Sequence, residues 1–141
     1  MLGDHLVFPI LLSKDLSASR AFYHEKLGLD ILRDDGARII FGCGDGSLLA
    51  VTLSTTGTAD TQTQLAWRVP DLKAELAELR ARGVPIEEYD APAPKTENGI
   101  ADMGYAWAAW ITDPSRNVLG IIQPKSSDAA TSAPQPPLGN P

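Results

Sequence analysis

The side chains best equipped for chemistry in this 141-residue chain are few: two histidines, His5 and His24, one cysteine, Cys43, and scattered carboxylates. A transition-metal centre needs several imidazole, thiolate or carboxylate donors converging on one point, and this is a thin supply. His24 lies between Tyr23 and Glu25 in a stretch that reads as a helix, where a solvent-exposed surface histidine is expected. Cys43 sits between Gly42 and Gly44 with no histidine placed beside it by sequence, so it reads as a turn residue rather than a nucleophile. Glu88, Tyr89 and Asp102 remain as acid or base candidates, because a carboxyl held in a cleft can have a shifted pKa.

Composition narrows the function classes. Hydrophobic residues make up 43% and charged ones 21%, as in an ordinary globular chain, and the formal net charge is −6. A nucleic-acid backbone or an anionic membrane surface is repelled by such a charge, and no basic run offers a local exception. The apolar run Leu6–Leu12 is short, contains Pro9 and follows Asp4, so it reads as a strand rather than a signal peptide. No stretch approaches a membrane span. A lone cysteine excludes an intrachain disulfide, and a reducing, cytoplasmic setting is the expectation.

These groups must be positioned by a short series of elements. Leu6–Leu12 reads as a strand buried on both faces, and Asp15 or Ser17 caps a helix running to Lys26, stopped by Gly28. Strands follow at Leu29–Leu32, Ala37–Phe41 and Leu48–Leu53, with turn chemistry at Asp34–Gly36 and Gly42–Gly46. Residues 54–61 read as a linker. The order then repeats: a strand at Gln64–Val69, a helix opened by Pro70-Asp71-Leu72 and stopped by Gly83, and a strand at Ile86–Tyr89. A long loop from Asp90 to about Gly104 follows, of a length that suggests a lid or binding loop. Strands at Tyr105–Ile111 and Val118–Gln123, joined by the turn Asp113–Asn117, close the chain.

Residues repeat as well as elements. Lys14-Asp15-Leu16-Ser17-Ala18 matches Pro70-Asp71-Leu72-Lys73-Ala74, and Ala21 matches Ala77 at the same offset. The expectation is an α+β domain of two βαβββ units, about 5–54 and 62–123, whose curved mixed sheets surround a cleft. Residues 1–123 form one domain in this reading. Residues 124–141 form a tail rich in Ser, Ala, Pro and Gly that cannot bury enough apolar surface to order itself.

Asp15-Leu16-Ser17-Ala18-Ser19-Arg20-Ala21-Phe22-Tyr23 with Leu27-Gly28, then Val69-Pro70-Asp71-Leu72, resemble the vicinal oxygen chelate superfamily, the glyoxalase and bleomycin-resistance group. The segment Asp113-Pro114-Ser115-Arg116-Asn117-Val118-Leu119-Gly120 resembles that family's Asp-Pro-x-Gly-Asn hairpin, and the likeness covers about Leu6–Gln123. Enzymes of the family hold a divalent metal with His, Glu or Gln at four strand positions. The resemblance places these at Phe8, near Thr52, at Gln64 and at Gly120. Phenylalanine and glycine side chains cannot coordinate a metal, which leaves Gln64 as the one plausible ligand. His5, three residues before Phe8, points to the other sheet face and does not substitute. No metal and no cofactor is therefore expected.

With Phe8, Gln64 and Gly120 taken as cleft-facing, alternation adds Ile10, Ala66, Arg68, Val118 and Ile122 to the same surface. Pairing of Thr112 with Val118 sets Trp110 opposite Gly120, an indole beside an absent side chain that suits stacking of a planar ligand. Arg68 is then the charged group of a mostly apolar pocket, able to pair with an anion; its other reading is a partner of solvent or Glu88. Trp110 also reads as plain core packing. The ligand surface expected is Phe8, Ile10, Thr52, Gln64, Arg68, Trp110 and Ile122. The leading function is a metal-free protein that binds a small organic ligand, with a homodimer implied by the resemblance. The alternatives are a lyase, isomerase or dioxygenase with a rebuilt metal site, a metal-free acid–base enzyme, and an interaction module whose cleft is filled by side chains.

Overall fold

Asp15 and Asp71 start the two helices in the same way. Each sits in extended backbone and accepts a hydrogen bond from the N–H three residues on, Ala18 and Ala74, at 3.1 Å. The computed structural model describes residues 1–55 and 61–125, so part of the expected linker and the tail beyond residue 125 lie outside the described residues. By their contacts the described residues group into two compact units, those of 1–64 with Asp113–Asn117, and Leu65–Thr112 with the described residues from Val118 onward.

In the first unit, strands β1 (Ile10–Ser13), β2 (Asp30–Asp34), β3 (Arg38–Gly42) and β4 (Leu48–Leu53) form a sheet in the order β1-β4-β3-β2. β1 runs parallel to β4 and the other pairs are antiparallel. Helix α1 (Leu16–Arg20) continues through Ala21–Lys26 as a wider coil, with Leu27 N–H donating to Phe22 O. Together they fill the helix expected to run to Lys26, and Gly28 ends it at φ +80°. Alternation sends Leu11, Ser13, Ile39, Phe41, Leu49 and Val51 to the helix side, where all are buried. Tyr23 packs there between Phe22 and Phe41, at centroid distances of 5.1 and 5.4 Å.

β1 departs from expectation. It begins at Ile10 rather than Leu6, and it is buried on one face only: Leu11 and Ser13 are covered, Ile10 and Leu12 exposed. The ladder onto β4 starts from Pro9 O, which accepts from Ala50 N–H, and Pro9 has no N–H to return. Leu6, Val7 and Phe8 therefore precede the strand and are exposed.

The five residues Asp113–Asn117 anchor the first unit by polar contacts. Asp113 accepts from Ser115 N, Asn117 N, Asn117 Nδ2 and the Tyr23 hydroxyl, all within 2.9 Å. Asn117 Nδ2 also donates to Leu12 O, and Lys14 N–H donates to Ser115 Oγ. Ser13 and Ser19 share a buried hydrogen bond at 2.7 Å beside this turn. Arg116, at the glycine position of the hairpin pattern, holds φ +71°.

The second unit has five strands, β5 (Thr63–Arg68), β6 (Thr96–Glu97), β7 (Ile100–Asp102), β8 (Ala106–Thr112) and β9 (Val118–Pro124), in the order β5-β9-β8-β7-β6. Helix α2 (Leu72–Ala81) buries Leu72, Leu76 and Leu79, spaced as one helical stripe, and Gly83 at φ +79° stops it. Gln123 Oε1 accepts from Leu72 N–H at 2.8 Å, satisfying one of the helix's free N-terminal donors.

Two expectations fail in this unit. Ile86–Tyr89 is not a strand. Its link to β8 is the bond from Glu87 N–H to Trp110 O, and Tyr89 N–H is taken by the Thr96 hydroxyl, where a ladder partner would have to be. The segment read as a long loop instead contains the β6–β7 hairpin, turned by Asn98 (φ +53°) and Gly99 (φ +83°) and paired onto β8. Asn-Gly is a strong signal for such a turn, and it was available in the sequence.

Candidate functional site

The side of the second sheet turned away from α2 gathers the most varied chemistry. Registers Ala108–Ile122, Trp110–Gly120 and Thr112–Val118 put these six residues on one face, while Ala109, Ile111, Leu119 and Ile121 bury against α2. Trp110 thus stands opposite Gly120 as expected, half-buried, with Ile122 two residues along the neighbouring strand. Its ring meets that of Tyr89 edge to face, with centroids 5.5 Å apart.

Glu87 joins the same face. Its Oε1 accepts from the Thr112 hydroxyl at 2.9 Å, and its backbone N–H donates to Trp110 O. Alternation along residues 86–89 survives although no strand forms. Glu87 and Tyr89 reach Thr112 and Trp110, whereas Glu88 accepts from Gly99 N–H at 2.6 Å on the other side, near Ile86. Glu87 was not among the expected site residues. Its parity with Tyr89 was the signal that could have found it.

The acid–base candidates are thereby sorted. Glu88 is held by a backbone N–H. Asp102 pairs with Lys125, whose hydrogen bond, followed by that of Gly104 N–H, lowers the exposed carboxyl below its usual range. Burial, and then the Glu87 carboxylate, push the Tyr89 phenol up from its ordinary value.

Arg68 ends β5, exposed, and among the described residues it forms no ion pair; Glu88 is not its partner. In the first unit, Ile10 and Thr52 lie on the sheet face turned away from α1, together with Leu12, Ile40 and Leu48. Phe8 is exposed ahead of β1. Gln64 Nε2 donates to Gln62 O at 3.1 Å, so the amide is partly engaged by its own strand. His24 is exposed and its Nδ1 lies 2.7 Å from Leu29 O, and Cys43 heads the turn in which its N–H donates to Ser47 O.

The four positions that the resemblance assigns to metal ligands do not fit a metal. Phe8 has no donor atom, Gly120 is buried with no side chain, and Thr52 and Gln64 offer one hydroxyl and one amide. Among the described residues no three His, Cys, Asp or Glu side chains come together as ligands.

A glyoxalase/bleomycin resistance protein/dioxygenase from Alicyclobacillus acidocaldarius superposes with a TM-score of 0.65 at 19% identity, covering 88% of this chain and 94% of that one. A bleomycin-binding protein solved with bleomycin gives 0.63 at 24% identity, covering 86% and 99%. An antibiotic-binding protein from Streptomyces sp. CB03234 gives 0.61 at 22%, covering 86% and 96%. At these identities the structures show a shared fold. No curated protein matches the chain. The profile of one family matches residues 4–121, through both helix starts and the Asp113–Asn117 turn, and the chain belongs to that Glyoxalase/Bleomycin resistance protein/Dioxygenase superfamily.

Proposed function

We propose that this chain is a metal-free protein that binds a small apolar or aromatic organic molecule, in the manner of the family's bleomycin-resistance branch. The observation that carries this reading is the pair Phe8 and Gly120, at positions where a metal enzyme of the family needs donors. Trp110 opposite Gly120 supplies an aromatic surface in their stead. Phe8, Ile10, Thr52, Gln64, Arg68 and Ile122 are the remaining residues of the proposed ligand-binding set. The bleomycin-binding and antibiotic-binding relatives of the same fold support a ligand-binding role.

Protein purified without chelators and dialysed is expected to carry only substoichiometric Fe, Mn, Ni and Zn; one equivalent of any of them overturns the reading. Calorimetric titration with bleomycin and with 2-naphthol is expected to show saturable binding to the wild type and strongly weakened binding to Trp110→Ala. Unchanged affinity in that variant removes Trp110 from the site.

The same proposal includes a cytoplasmic homodimer built from one domain over residues 1–123. A sequence with one cysteine, which excludes an intrachain disulfide, and the apolar side chains left exposed at Val7, Ile10 and Leu32 support it. Among the described residues no helix is long and apolar enough to cross a membrane. Sedimentation equilibrium at a mass of 15.1 kDa, that of one chain, argues against the dimer.

A further inference from the structure

Glu87 is a half-buried carboxylate without a counter-charge. Its hydrogen bond from Thr112 satisfies one oxygen, and among the described residues no lysine, arginine or histidine forms an ion pair with it. Partly desolvated charges in folded chains are ordinarily paired, because leaving water costs more than one neutral hydrogen bond returns. Its neighbours on that face are two aromatic rings, Tyr89 and Trp110, set edge to face at 5.5 Å. Ring faces attract cations through their quadrupoles, and a carboxylate beside two rings is the arrangement that favours an organic ammonium over a neutral or anionic group.

We propose that the Glu87–Tyr89–Trp110 face binds the cationic group of an organic amine or guanidine, with Glu87 as counter-ion and Trp110 as the stacking wall. Thr112 is a positioning residue: its hydroxyl holds one carboxylate oxygen and leaves the other for the ligand. The Tyr89 phenol is raised first by burial and then by the Glu87 negative charge close to its ring. This inference rests on the ligand-binding reading above and adds to it the charge class of the ligand.

The test uses three probes of similar size, phenethylammonium, 2-phenylethanol and 3-phenylpropionate, titrated calorimetrically into the full-length protein at about pH 7, where the amine is charged. Phenethylammonium is expected to bind at least about tenfold more tightly than the alcohol, and the propionate most weakly. Glu87→Gln keeps the acceptor for Thr112 and the side-chain shape. It is expected to bring the amine down to the affinity of the alcohol while leaving the alcohol unchanged; Trp110→Ala is expected to weaken all three. Equal affinities of amine and alcohol, or an amine preference that survives in Glu87→Gln, overturn the proposal but leave the ligand-binding reading standing. Failure of all three probes and of bleomycin and 2-naphthol overturns both. A readout without ligand is the Tyr89 ionisation followed by ultraviolet absorbance, expected to move part-way back toward the ordinary range in Glu87→Gln. An unmoved titration places the charge away from the ring and also sinks the proposal.

Discussion

Tyr23 donates its hydroxyl hydrogen to Asp113 Oδ2 at 2.7 Å, across ninety residues of chain, with the ring fully buried between Phe22 and Phe41. The bond ties the helix side of the first sheet to the turn Asp113–Asn117, whose own backbone N–H groups converge on the other carboxylate oxygen. Tyr23→Phe keeps the packing and removes one of the donors to a buried carboxylate. The expected cost is about 1–3 kcal/mol, read as a lower urea midpoint with an unchanged slope.

The buried Tyr23 phenol also makes stability fall at alkaline pH. Burial first, and then the charge and hydrogen bond of Asp113, hold the Tyr23 phenol well above its ordinary 10.0. Below that value folded and unfolded chains both keep the proton, and the contribution is fully present. As pH rises past it, the unfolded chain releases a proton that the folded chain retains, so stability falls by up to about 1.4 kcal/mol per pH unit. Urea midpoints measured on either side of pH 10 are expected to drop, and to drop less steeply in Tyr23→Phe. Parallel slopes in the two proteins would assign the loss to other groups.

Arg116 occupies the left-handed region at φ +71° with an exposed side chain, in a turn where glycine adopts that conformation without penalty. Arg116→Gly is expected to raise stability by about 1 kcal/mol, because the relieved backbone strain exceeds the added freedom of the unfolded chain. Thermal melts check this as a rise of a few degrees; a fall would mean that the guanidinium makes a contact worth more than the strain.

Gly99 turns the β6–β7 hairpin at φ +83°, and a Cβ built there lies 2.5 Å from Ile86 Cγ2 and 3.1 Å from an Arg80 guanidinium nitrogen. Gly99→Ala combines a strained backbone with an overpacked contact. About 2–3 kcal/mol of destabilisation is expected, with loss of amide exchange protection concentrated in β6 and β7.

The N-cap carboxylates permit a paired comparison. Asp15→Ala and Asp71→Ala each free one helix N–H, and each is expected to cost about 1 kcal/mol by urea denaturation. A markedly larger loss at Asp15 would show that α1 and its wide continuation lean on the cap more than α2 does.

What the amino-acid order determined by itself is local. Asp15 and Asp71 reach N–H groups three residues away, and Gly28 and Gly83 take the positive φ that ends each helix. Both choices are settled within a turn of chain, so the doubled unit was legible before any contact was known. Trp110 opposite Gly120 was legible too, since a short turn counts off the register of the two strands it joins. The tertiary structure decided the rest. Whether Ile86–Tyr89 becomes a strand depends on what reaches its N–H groups, and Thr96 takes one of them. Glu87 meets Thr112 over 25 residues, and Tyr23 meets Asp113 over ninety. Such pairs need two surfaces brought together by the packing of whole sheets and helices, and no spacing along the chain encodes that distance. The family likeness located Phe8 and Gly120, where a metal would need donors. Folding brought Trp110, Tyr89 and Glu87 together on one face of the second sheet.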